Sequence, residues 1–287
     1  MVRPSGNHVR IFEMSPRDGL QNEARLIPTR DKISLVDQLS ECGFDRIEVT
    51  SFVSPRWVPQ LADAAEVMAG IRRKPGVGYA VLTPNMKGYE GARAAKADEV
   101  AIFASASEGF SQKNINCSIA ESLDRFEPIV AAAKTDGIPV RGYISCVIDC
   151  PYDGPTPPAK VAEVAGLLLA MGCYEVGLGD TIGRGTPEAV AAMLDAVIPI
   201  VPADKLAGHY HDTGGRALEN ISVSLEKGLR VFDASVGNLG GCPYAPGAKG
   251  NVDTLAVARM LADQGYETGL DLDQLERVAT FARALRG

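Results

Sequence analysis

Positive charge is in short supply: 29 Lys and Arg stand against 36 Asp and Glu, a formal net charge of −7 over 287 residues. A duplex nucleic-acid binder needs a basic surface, so that class is excluded. An anionic small molecule is not excluded, because a few local cations suffice for it. No apolar run reaches membrane length and the mean hydropathy is 0.00, which argues against a transmembrane protein. The opening segment Met1–Gly6 is short and polar and lacks the apolar stretch of a secretory signal. The six cysteines make no compact framework and read as reduced thiols. Cys146 and Cys150 are four apart, but no second Cys or His pair completes a zinc site. These absences predict a cytoplasmic protein.

What is present is a repeated unit. Short β-rich runs occur at Val9–Glu13, Arg46–Thr50, Gly78–Leu82, Val100–Phe103, Val140–Ile144, Glu175–Leu178, Leu206–Tyr210 and Val231–Val236. Helical patterns separate them. Ile33, Val36 and Leu39 share a face; Ser118 with Glu121 forms a capping box; Thr186-Pro187 gives an N-cap and a first-turn proline. Strand, helix, strand at a period of roughly 30 residues is the right-handed βαβ unit. Eight of them predict an α/β chain closed as a (β/α)8 TIM barrel. An open doubly wound sheet wants a glycine-rich phosphate turn after its first strand, and Ser15–Gly19 is not one. No linker divides the chain, so residues 1–287 are expected to form a single catalytic domain. Beyond the eighth strand we expect a C-terminal helical extension over 253–286, preceded by a mobile, glycine-rich catalytic loop over 237–250.

Chemistry in a barrel sits at the carboxyl ends of the strands. Arg17 and Asp18 lie side by side in the turn after the first strand. Glu48, between Ile47 and Val49 on the second, is a carboxylate at a normally buried position and needs a partner. Arg17 is the obvious one, and Glu48 then either orients that arginine or acts directly. His209 and His211 are two of only three histidines. On a strand, residues at i and i+2 share a face, so both imidazoles can reach one metal ion. After the eighth strand, Cys242 sits in a run of glycines and prolines, away from any core pattern. Closure makes strands 7, 8, 1 and 2 consecutive neighbours, which brings Asp18, His209, His211, Asn251 and Glu48 to one sector of the mouth.

The segments Arg17–Glu23, Thr50–Pro55, Lys113–Ser118, Leu178–Gly183 and Gly240–Tyr244 together resemble the 3-hydroxy-3-methylglutaryl-CoA lyase family, from about Val9 to the C-terminus. The resemblance implies cleavage of 3-hydroxy-3-methylglutaryl-CoA to acetyl-CoA and acetoacetate, a step of leucine degradation and ketone-body metabolism. It places the ligands of Mg2+ or Mn2+ on Asp18, His209, His211 and Asn251, and catalytic roles on Arg17, Cys242, Glu48 and His209. Substrate contacts are expected from Arg17, Gln21, Ser51, Thr181 and, in the loop after the fourth strand, Lys113 and Asn114. Whether Cys242, His209 or a water takes the first proton stays open. The implied partner is an acyl-CoA, with a homo-oligomer, dimer or tetramer, and neither nucleic acid nor membrane. Gly177 departs from the family's usual serine and is expected to enlarge the acyl pocket. That keeps two alternatives: a longer branched 3-hydroxyglutaryl-CoA as substrate, or a related Claisen-condensing acyl-CoA synthase.

Overall fold

Eight parallel strands close on themselves in sequence order. They are β1 Arg10–Glu13, β2 Arg46–Ser51, β3 Gly78–Leu82 and β4 Glu99–Ser105, then β5 Val140–Ser145, β6 Glu175–Asp180, β7 Leu206–Tyr210 and β8 Val231–Ala234. The computed structural model describes residues 6–240 and 250–286. Closure is made by β1 against β8, with Arg10 opposite Val231 and Glu13 opposite Ala234. On its other side β1 meets β2 through Glu13 and Ile47. The expected TIM barrel is therefore the observed one, and all eight strand ends open on one mouth.

The helices are α1 Thr29–Ser40, α2 Ala64–Gly70, α3 Met86–Ala94, α4 Glu108–Ile115 and α5 Ile119–Asp136. They continue with α6 Pro158–Met171, α7 Pro187–Val197, α8 Ala217–Glu226, α9 Thr254–Asp263 and α10 Leu272–Ala284. The local signals hold. Ser118 and Glu121 form a reciprocal capping box, and the Thr186 hydroxyl accepts from the Ala189 amide ahead of Pro187. Residues 253–286 carry α9 and α10, the expected extension; α10 packs on α1 and on the turn Val236–Asn238. A Cβ on Gly237 would lie 3.0 Å from the Ala279 carbonyl, so glycine lets that helix approach. Val236–Asn238 is a short 3-10 turn where an irregular loop was expected.

Two cores result. The larger, of side chains such as Leu35, Ile47, Phe126 and Leu194, lies between the strands and the helices. The smaller fills the barrel interior with Phe12, Met14, Ala80, Leu82, Ala101 and Tyr143. Cys42, Cys117, Cys146, Cys150 and Cys173 are buried free thiols. Among the described residues no helix is long and apolar enough to cross a membrane.

Candidate active site

The turn that carries Arg17 and Asp18 is one π-helical turn, Ser15–Gly19, opened by Pro16. Its start is pinned by the wholly buried Glu13. One carboxylate oxygen accepts from the Ser15 and Val236 amides at 2.9 and 3.0 Å, the other from the Thr254 hydroxyl at 2.7 Å. Gly19 is required there: a Cβ would fall 2.6 Å from Ser235 Oγ and 2.8 Å from Leu239 Cβ.

Arg17 is buried, with its Nε donating to Glu48 and its Nη1 to Asp18. Burial works against its charge, but the Asp18 and Glu48 carboxylates hold the guanidinium above its ordinary value. Asp18, opposed by burial, is held well below the usual carboxylate range by Arg17 and then by the two histidines. Glu48 is fully buried, and burial pushes its carboxyl up against the pull of Arg17.

His209, on β7, donates from Nδ1 to Asp233 at 3.0 Å, which leaves Nε2 3.8 Å from Asp18 Oδ2. His211 follows the strand and pairs with Asn251 in an isolated antiparallel bridge. The segment around Asn251 is threaded between the ends of β7 and β8: the Asp212 amide donates to the Gly250 carbonyl, and the Ser235 amide to that of Val252. The Asn251 amide thereby meets Asp18, Nδ2 to Oδ2, at 2.7 Å. Tyr210, between the histidines, turns away from them and bonds Ser224 at 2.8 Å, as the alternation of a strand requires.

Donor atoms of Asp18, His209 and His211 all lie within 4.8 Å of one another. Among the described residues, the buried Nδ1 of His211 has no hydrogen-bond partner, an orphan that a metal ion satisfies. Burial, then the neighbouring His209, pushes the His211 pKa down to about 4, so its ring is neutral and able to ligate at physiological pH. Two imidazoles, a carboxylate and an amide oxygen suit a divalent ion that prefers oxygen and nitrogen.

These groups line a cavity of about 680 Å³, together with Gln21, Ser51 and Thr181. Lys113 and Asn114 line it too, but from α4 rather than from a loop. The Ser107 hydroxyl caps that helix on the Phe110 amide, and Asn116 ends it in the left-handed region at φ 52°. Arg17, Lys113 and Arg125 give the lining three cations, and among the described residues Asp18 is its one carboxylate. An acidic chain thus keeps a cationic cavity.

A further expectation needs correction. Gly177 does not enlarge the cavity. It sits opposite Tyr143 in the β5–β6 register, and a Cβ there would be 2.8 Å from the Tyr143 ring, which occupies the space. Glu48 lies beneath Arg17, outside the cavity lining, and holds the arginine as the sequence led us to expect; its other oxygen accepts from the Tyr143 hydroxyl. Cys242 lies outside the described residues. The sequence reading missed Arg141, Asp233 and Tyr143, although a charge inside each apolar strand run was the signal that had singled out Glu48.

A model of the HMGL-like family matches residues 8–282. The chain belongs to the HMGL-like family. A bovine mitochondrial hydroxymethylglutaryl-CoA lyase is 58% identical over 273 residues, 95% of this chain and 84% of its own. A Pseudomonas aeruginosa 3-hydroxy-3-isohexenylglutaryl-CoA/hydroxymethylglutaryl-CoA lyase is 58% identical over 93% of this chain and 89% of its own. Among solved structures, the HMG-CoA lyase of Brucella melitensis superposes with a TM-score of 0.97 at 68% identity, covering 98% of this chain and 99% of that one. The HMGL-like family is divalent-metal dependent, and Asp18, His209 and His211 form this member's candidate metal centre.

Proposed function

We propose that this chain cleaves 3-hydroxy-3-methylglutaryl-CoA to acetyl-CoA and acetoacetate. The observation that carries the reading is the placement of Arg17 beside the donor group Asp18, His209 and His211 on one cationic cavity. The relatives bearing that activity in their names align over nearly the whole chain. An HMG-CoA lyase structure from Acinetobacter baumannii, 37% identical with a TM-score of 0.93 over 98% of this chain and 92% of that one, holds coenzyme A and 3-methylmalate. An acyl-CoA is the partner this supports.

The reaction breaks the C2–C3 bond of the acyl group. The C3 hydroxyl loses its proton, the bond electrons pass to C2 and the thioester as an enolate, and C2 is then protonated. Asp18, His209, His211 and Asn251 are the residues to hold Mg2+ or Mn2+, which supplies Lewis acidity toward the C3 oxygen. Arg17 cannot deprotonate. Its fixed charge stabilises the developing enolate, an interaction worth roughly 3–4 kcal/mol in comparable sites. Glu48 positions Arg17. Cys242 is assigned as a general acid or base. Gln21, Ser51 and Thr181 hold the acyl part, and Lys113 and Asn114 the pantetheine arm. We assign the whole of 1–287 to one catalytic domain acting in the cytoplasm as a homo-oligomer.

A second reading, a longer branched 3-hydroxyglutaryl-CoA, rests on the name of the Pseudomonas relative and no longer on Gly177. The test is a panel of hydroxyglutaryl-CoA homologues with Mn2+ or Mg2+. Acetoacetate released from the methyl homologue, and abolished by EDTA, is the expected result. Free CoA without acetoacetate, or turnover confined to longer branches, overturns the first reading.

A further inference from the structure

Beneath the site, where barrel interiors are ordinarily filled by branched apolar side chains, lies a fully buried guanidinium. Arg141 on β5 has no exposed surface. Its two terminal nitrogens bind Asp233 as a fork, Nη2 to Oδ1 at 2.8 Å and Nη1 to Oδ2 at 3.1 Å. Nε donates to Glu175 at 2.8 Å, and Nη1 also donates to the Tyr143 hydroxyl at 2.8 Å. The group is held between the Phe12 and Tyr143 rings, 4.5 and 4.9 Å from their centroids. A buried ion pair rarely improves on apolar packing of the same volume, so stability is a poor reason for its presence.

Its contacts lead to both halves of the site. Asp233 accepts from His209 Nδ1 at 3.0 Å, which fixes that ring's tautomer and turns Nε2 toward Asp18. On the other side the Tyr143 hydroxyl, accepting from Arg141, donates to Glu48 Oε1 at 3.3 Å, and Glu48 receives Arg17 Nε. Asp18, bonded to Arg17, closes the circuit beside His209. We propose that Arg141 is a positioning residue shared by the two halves: through Asp233 it orients the metal-ligating His209, and through Tyr143 and Glu48 it orients Arg17. The inference rests on the metal-dependent lyase reading above. It adds that the metal pole and the thioester pole are registered to each other by one rigid group touching neither substrate nor metal. A planar fork suits that task, since it sets the directions of several acceptors at once. Groups orienting metal ligands typically carry 10–100-fold of metal affinity.

The test separates the branches with near-isosteric variants of the full chain, reading Mn2+ affinity by electron paramagnetic resonance and turnover at saturating Mn2+. Asp233→Asn is expected to weaken Mn2+ binding at least about tenfold. Tyr143→Phe keeps the ring in the cavity wall and loses only the buried hydroxyl. It is expected to leave Mn2+ affinity within about twofold and to lower kcat about tenfold, with KM little changed, as lost transition-state orientation does. Arg141→Lys, which keeps the charge and loses the fork, is expected to show both losses. An Arg141→Lys protein that melts cooperatively with both properties near wild type overturns the proposal. Should that variant fail to fold, the two single variants decide: identical profiles for Asp233→Asn and Tyr143→Phe overturn the proposal, and the split supports it. A wild-type protein that neither binds Mn2+ nor cleaves the substrate instead removes the lyase reading.

Discussion

Asn251 donates its side-chain amide to Asp18, Nδ2 to Oδ2 at 2.7 Å, across 233 positions of sequence. Barrel closure is what brings them together. β1 pairs with β8, and the chain leaving β8 returns through residues 250–254 along the ends of β7 and β8. The bond fixes the Asp18 carboxylate on one side while Arg17 fixes it on the other.

Asn251→Ala therefore removes the brace on Asp18 and, on the reading proposed above, a metal ligand as well. The Mn2+ concentration giving half-maximal activity in EDTA-stripped protein is expected to rise about tenfold or more, with thermal stability in EDTA little altered. An unchanged Mn2+ titration would show that Asn251 contributes neither.

Arg17→Gln tests the other pole. Removing a preorganised stabiliser of an oxyanion lowers kcat by about 10²–10³ in comparable sites, and that is the minimum expected here. Mn2+ affinity should change far less, since the glutamine keeps a donor beside Asp18. Steady-state kinetics with a parallel Mn2+ titration checks both, and an almost fully active variant removes Arg17 from the chemistry.

The barrel was legible because its signal is repetition: eight strand runs with helices between them leave few other architectures. The convergence of Asp18, His209, His211, Asn251 and Glu48 followed from closure alone. Features that depend on a partner distant in sequence were less legible. An arginine in Val140–Ile144 announces buried charge but not that Asp233, 92 positions away, neutralises it. Lys113 and Asn114 lie on a short helix announced in the sequence only by its Ser107 cap, so their segment has the look of a loop. Gly177 misled for a packing reason, since space left by a missing side chain belongs to whichever neighbour can fill it.

That neighbour is Tyr143, and the consequence is measurable. Gly177→Ser drives a Cβ into contact with the Tyr143 ring, 2.8 Å from its nearest carbon. Overpacking of a filled core costs about 1–3 kcal/mol, so the melting temperature should fall. If Gly177 had instead enlarged the acyl pocket, the serine would leave stability unchanged and only narrow the substrate range. Calorimetric melting of the two proteins distinguishes these outcomes.

Glu13 sets the pH dependence of stability in a predictable direction. Burial raises its pKa from 4.5 to about 7, against the pull of its hydrogen bonds to Ser15, Thr254 and Val236. Between those values the native protein holds a proton that the unfolded chain has released, so stability falls as pH rises across that window and levels off above it. The whole effect is about 3 kcal/mol. Glu13→Gln should remove it without breaking the brace. The glutamine oxygen can accept from the Ser15 and Val236 amides as one carboxylate oxygen does now, and its NH2 can donate to the Thr254 hydroxyl. Urea unfolding of both proteins in EDTA, from pH 5 to pH 8, reads the difference directly, because every other titrating group is common to the pair. The expected result is a variant whose stability relative to wild type grows with pH up to about 7 and then stays constant. Parallel curves would mean that Glu13 is ionised in the native protein throughout and that its three donors outweigh its burial.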